Sequence, residues 1–85
     1  QVFYFSEMVE CDFVVVKADR VNQLFQVCWQ LDDNNLSREV EGIAAASNYT
    51  GCKNCTIVTF NQQRTIEHQG LVITVVPVWR MLSKF

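Results

Sequence analysis

Apolar and polar positions along this chain fall into short runs separated by polar turns, with a single stretch of helical spacing near the middle. Gln1 to Phe5 is rich in aromatic and β-branched residues and predicts a strand, which the polar Ser6-Glu7 pair turns back. A second strand is expected from Val9 to Lys17. Its unbroken Phe13-Val14-Val15-Val16 centre is the pattern of a strand covered on both faces. After Ala18-Asp19-Arg20, the alternation from Val21 to Leu31 predicts a third strand in hairpin register with the second.

The period then changes. Leu36, Val40, Ile43, Ala44 and Ser47 recur at helical spacing, with Arg38, Glu39 and Glu41 expected on the opposite, solvent side. Side chains within Asp32 to Asn35 are suited to capping the first free N–H groups of this helix, and Gly51 suits its stop. Cys55 to Phe60 reads as a fourth strand reached through the helix. The segment from Val21 to Phe60 is then a β-α-β unit, which requires a parallel pairing. Thr65 to His68 and Leu71 to Val76 read as two strands joined at Gln69-Gly70. Pro77 opens a short terminal helix whose Trp79, Met81 and Leu82 are expected to cover a sheet face. The fold class is α/β: a mixed central β-sheet with flanking helices.

Composition narrows the picture. Eighty-five residues, 49% apolar and 19% charged, suit one globular domain. The longest apolar runs, Phe13 to Val16 and Leu71 to Val78, fall far short of the ~20 residues that cross a bilayer. The start at Gln1 carries neither Met nor a leader pattern, which leads to the expectation of a cytoplasmic domain excised from a longer chain. Seven basic residues are scattered among nine acidic ones for a net charge of -2, a poor footprint for nucleic acid. Asn48-Tyr49-Thr50 and Asn54-Cys55-Thr56 match the glycosylation pattern, which has meaning only in a secreted protein, and both are discounted.

The runs Val9-Glu10-Cys11-Asp12-Phe13-Val14-Val15, Leu24-Phe25-Gln26-Val27-Cys28-Trp29-Gln30-Leu31 and Arg38-Glu39-Val40 resemble the uncharacterised C-terminal domain of prokaryotic AAA-type ATPases. Cys55-Thr56-Ile57-Val58-Thr59 and Val75-Val76-Pro77-Val78-Trp79 extend the likeness over most of the chain. The resemblance implies a PD-(D/E)XK, restriction endonuclease-like core, truncated here to β-β-β-α-β plus a β-hairpin and a short C-terminal helix. In active members an Asp on strand two and a Glu or Gln on strand three hold Mg²⁺ or Mn²⁺, while a Lys two residues on orients water. Asp12 matches the first position, with Glu10 adjacent. Gln26 matches the second in its uncharged form, and Cys28 stands where the Lys is expected. A thiol carries no permanent positive charge, so the resemblance implies a degenerate site without a cofactor. The expected function is a non-catalytic interaction or regulatory domain, its partner being the rest of a parent ATPase or another protein, a homodimer included. The alternative is a metal-dependent nuclease or DNA-binding domain, using Mg²⁺ or Mn²⁺ and completed by a missing N-terminal segment or another subunit.

Three other features bear on function. Cys52 and Cys55 form a Cys-x-x-Cys pair that could serve a zinc site or a thiol-redox module, but the pair follows a helix end and has no neighbouring ligands in sequence. Cys11 and Cys28, inside apolar runs, are expected as buried free thiols. His68, at a hairpin tip, is expected on the surface. Trp29 and Trp79, with Phe3, Phe5, Phe13 and Phe25, are expected to fill the core.

Overall fold

The computed structural model describes the backbone of residues 2–5, 11–17 and 20–82 and the side-chain surroundings of residues 21–82. Among the described residues six strands form one sheet: β1 (Val2–Phe5), β2 (Cys11–Lys17), β3 (Arg20–Val27), β4 (Cys55–Thr59), β5 (Arg64–His68) and β6 (Leu71–Pro77). Their order across the sheet is β1-β2-β3-β4-β6-β5. The helices are α1 (Leu36–Thr50) and α2 (Val78–Leu82). β1, β2 and β3 pair antiparallel, β3–β4 and β4–β6 pair parallel, and β5 lies antiparallel at the edge beside β6. The expected mixed α/β sheet and its parallel β-α-β pairing are therefore observed. The turn at Ser6-Glu7, Glu10, and the connection at Ala18-Asp19 lie outside the described residues, as do the side chains of Phe3, Phe5, Cys11 and Phe13.

α1 covers one face of the sheet because its Val40, Ile43, Ala46 and Ser47 share a helical stripe, and all four are buried. Opposite them, the same-face positions of the strands supply Leu24, Cys55, Ile57, Leu71, Ile73 and Val75. Leu24, Ile43, Ile57, Ile73 and Val75 are wholly removed from solvent and form the centre of the core. Between Val15↔Gln23 and Val16↔Val21 the register slips, leaving Asn22 as the extra residue of a β-bulge. The bulge returns Val21 to the core face, where it packs against the cluster. Asn54 Nδ2 donates to the Asn22 carbonyl at 3.0 Å.

Both turn-bearing glycines behave as expected. Gly51, at φ 77°, closes α1 in the left-handed conformation, its N–H bonded to the Ser47 carbonyl. Gln69 and Gly70, at φ 51° and 85°, form the two positive-φ corners that suit a two-residue hairpin between β5 and β6.

Four expectations need correction. β3 ends at Val27, not Leu31. The alternation runs on because the Cys28 N–H still bonds the Val58 carbonyl, and the Phe60 N–H the Trp29 carbonyl, each at 2.9 Å. The Asp and Asn side chains before α1 fold the loop onto itself and leave the helix uncapped. Asp32 Oδ1 accepts from the Asn34 and Asn35 N–H groups, Asn35 Oδ1 accepts from the Asp32 N–H, and Asn35 makes no side-chain cap bond. Trp29 and Trp79 are not in the core: they are 59% and 63% exposed. They follow the ends of β3 and β6, where the sheet stops and nothing among the described residues stacks over them except Phe60, whose ring lies 4.9 Å from Trp29. Leu82 is also exposed, so α2 covers less of the sheet than its large side chains suggest.

Candidate functional site

The register Phe13↔Phe25 and Val14↔Leu24, carried one residue further, sets Asp12 across from Gln26 in the β2–β3 ladder. Leu24 faces the core under α1, so Gln26, two residues on, shares that face and is only 6% exposed. By that extension of the register, Asp12 is the β2 position opposite Gln26.

Gln26 Nε2 donates to the Glu39 carbonyl at 2.9 Å and to Glu39 Oε1 at 2.8 Å. Both partners are acceptors, which fixes the amide with its NH₂ toward α1 and its oxygen away from it. That oxygen, Oε1, is buried and has no hydrogen-bond partner among the described residues. Glu39 was expected on the solvent side of α1, yet its side chain is 15% exposed and turned inward, with Arg38 Nη2 at 3.5 Å from Oε2. Its place in the first turn also suits a negative charge beside the positive end of the helix.

Cys28 lies just past the end of β3 and is buried. Its thiol donates to the Gln30 carbonyl at 3.4 Å and lies 3.6 Å from Asn35 Nδ2. Burial pushes the Cys28 thiol up, and the Glu39 charge adds to the shift. The position where the resemblance calls for a cation therefore holds a neutral thiol at pH 7. Gln62 braces the loop behind it: its Oε1 accepts from the Leu31 N–H at 2.7 Å and its Nε2 donates to the Leu31 carbonyl at 2.9 Å.

The side chain of Asp12 lies outside the described residues, so only Gln26 and its neighbours can be compared with the needs of Mg²⁺ or Mn²⁺. Such ions take about six oxygens in a near-octahedral shell, and among the described residues Gln26 Oε1 is the one buried side-chain oxygen left unpaired. Glu39 has one oxygen engaged by Gln26 and the other facing Arg38.

Cys52 and Cys55 are both buried free thiols. Burial pushes Cys55 up and the neighbouring Cys52 adds to this, while a hydrogen bond with Ser47 opposes it. Among the described residues no group of three or more His, Cys, Asp or Glu side chains converges to hold a metal. His68, expected at the surface, is half-buried as the last residue of β5.

Glu39 and Asn35 are the site residues the sequence reading did not single out. A signal for Glu39 was present: it lies three residues after Leu36 and four before Ile43, on the edge of the buried stripe.

No family model matches this chain, and no curated protein or solved structure gives a match to it. Among the described residues no helix is long and apolar enough to cross a membrane.

Proposed function

We propose that this chain is a non-catalytic interaction or regulatory domain carrying a degenerate nuclease-like site, and that it serves within a longer AAA-type ATPase. The observation that carries this reading is the Gln26–Glu39 tie. The amide that would help hold a metal is committed to α1 through two hydrogen bonds, and the neighbouring Cys28 is a neutral thiol. Phosphodiester cleavage needs charge neutralisation and an activated water, and a neutral thiol beside a bonded amide provides neither. The order β-β-β-α-β with β3 parallel to β4 supports a restriction endonuclease-like core.

A second reading has one specific observation in its favour. Gln26 Oε1 is buried without a partner beside the register position of Asp12, and a hard cation recruited together with donors from another segment or subunit would satisfy it. The test is incubation of the chain with supercoiled and single-stranded DNA in Mg²⁺ and in Mn²⁺. Intact substrate is expected. Metal-dependent cleavage that is lost in Asp12→Asn would replace the first reading by the second.

A further inference from the structure

β5 is an edge of the sheet: it pairs antiparallel with β6, and no described strand lies beyond it. Gln69 and Gly70, both at positive φ, close the β5–β6 hairpin as a two-residue loop. In such a hairpin the residues that flank the loop, here His68 and Leu71, exchange both backbone bonds. The alternation of an antiparallel ladder then commits the N–H and C=O groups of His68, Ile66 and Arg64 to β6, and turns those of Glu67 and Thr65 outward to the free edge. Proline, lysine and bulges, which commonly blunt an edge, are absent from β5, whose register runs unbroken from Arg64↔Val75 to His68↔Leu71. Such a row of outward donors and acceptors is a template for another strand.

We infer that two copies of this chain join edge to edge through β5, antiparallel about a two-fold axis at Ile66. The inference rests on the interaction-domain reading and names a second copy as its partner. In this register all five residues of β5 are paired, and the outward-bonding positions meet: Thr65 lies across from Glu67 of the second copy, and the reverse. The threonine hydroxyl there suits donation to the carboxylate. Arg64 lies across from His68, so neither charged residue meets its own copy. Ile66 meets Ile66 in the closer, non-hydrogen-bonded kind of pair. Ile66 already packs at the margin of the core and lines, with Leu36 and Val40, a cavity of about 290 Å³ beside α1. Ile66 of the second copy extends that apolar wall. A register centred on Glu67 sets carboxylate against carboxylate, and one centred on Thr65 leaves Glu67 and His68 opposite residues before the strand. A strand of another protein would meet the same backbone groups, and the self-matched register is what favours a second copy.

The test is sedimentation equilibrium of the 85-residue chain over a range of concentrations, with hydrogen exchange of the backbone amides at each. Five residues a side make a small interface, so a dimer that dissociates on dilution is expected, with the Thr65 and Glu67 amides protected only in the dimer. Thr65→Glu sets like charges across the axis twice and is expected to weaken the dimer about tenfold, whereas Thr65→Lys sets opposite charges there and is expected to tighten it about fivefold. Thr65→Pro removes an outward N–H and is expected to abolish the dimer. Thr65 is exposed, so these variants are expected to fold, which circular dichroism checks. The inference is overturned if the chain is monomeric at millimolar concentration, if the two charge variants shift association the same way or not at all, or if Thr65→Pro still dimerises. Growth into open polymers, the mark of pairing between unlike edges, also overturns it. The cleavage assay reads the Gln26 site in β3, so failure of the dimer and failure of the non-catalytic reading are separate outcomes.

Discussion

Gln26 of β3 and Glu39 of α1 are joined by two hydrogen bonds from one amide nitrogen, at 2.9 Å to the backbone carbonyl and 2.8 Å to Oε1. This tie crosses the sheet–helix interface at a buried position, so removing it strands an acceptor away from water. Gln26→Ala is expected to cost about 2 kcal/mol in urea denaturation. Gln26→Glu, which sets a carboxylate against Glu39, is expected to cost at least as much at pH 7 and to lose part of that penalty in acid as one carboxyl takes a proton.

The buried thiols set a limit at high pH. Burial is the main cause that raises Cys28 and Cys55 above the ordinary thiol value of 9.0. The unfolded chain therefore releases these protons first as pH rises, and above that value it binds fewer protons than the folded chain. Stability must then fall with rising pH. The double substitution Cys28→Ala with Cys55→Ala is expected to flatten the alkaline limb of a stability–pH curve. An unchanged slope would show that other groups set it.

Gly51 isolates a backbone effect. It sits at φ 77°, and a Cβ added there would meet nothing within 4 Å, so the penalty of a side chain is conformational alone. Gly51→Ala is expected to cost about 1 kcal/mol by thermal or chemical denaturation, with the core signals of Ile43 and Ile57 unmoved.

Core and surface aromatic positions should separate sharply. Ile57→Ala or Ile73→Ala removes a wholly buried side chain from between the sheet and α1, and a loss of about 3–4 kcal/mol is expected, a large share of the stability of so small a domain. Trp29→Ala is expected to cost less than about 1 kcal/mol, because what it loses is mainly one contact with the half-exposed Phe60. Tryptophan emission of the native chain should peak near the wavelength of solvated indole.

The elements were legible where local chemistry decides them. The switch from alternation to helical spacing at Leu36, the left-handed stops at Gly51 and Gly70, and the crossover that makes β3 and β4 parallel are all imposed by backbone geometry and periodicity. The tryptophans were misread because size and apolarity do not say where a sheet ends, and Trp29 and Trp79 each lie two residues beyond a strand. Glu39 was misread because a charged side chain was assigned to solvent by type, although its helical position borders the buried stripe. Its inward turn depends on Gln26, thirteen residues away in sequence. No local pattern encodes such a pairing. Strand order shows the same limit: β5 lies outside β6 at the sheet edge, a choice made by packing of the hairpin as a unit.

The most direct test of the central claim is a titration of Mn²⁺ into the folded chain, following the backbone amide signals of Asp12, Gln26 and Cys28 for paramagnetic broadening. With Gln26 held by Glu39 and Cys28 neutral, the expected result is no selective effect at these residues at micromolar metal. Selective broadening at Asp12 and Gln26, abolished by Gln26→Ala, would contradict the account and make the site a metal centre.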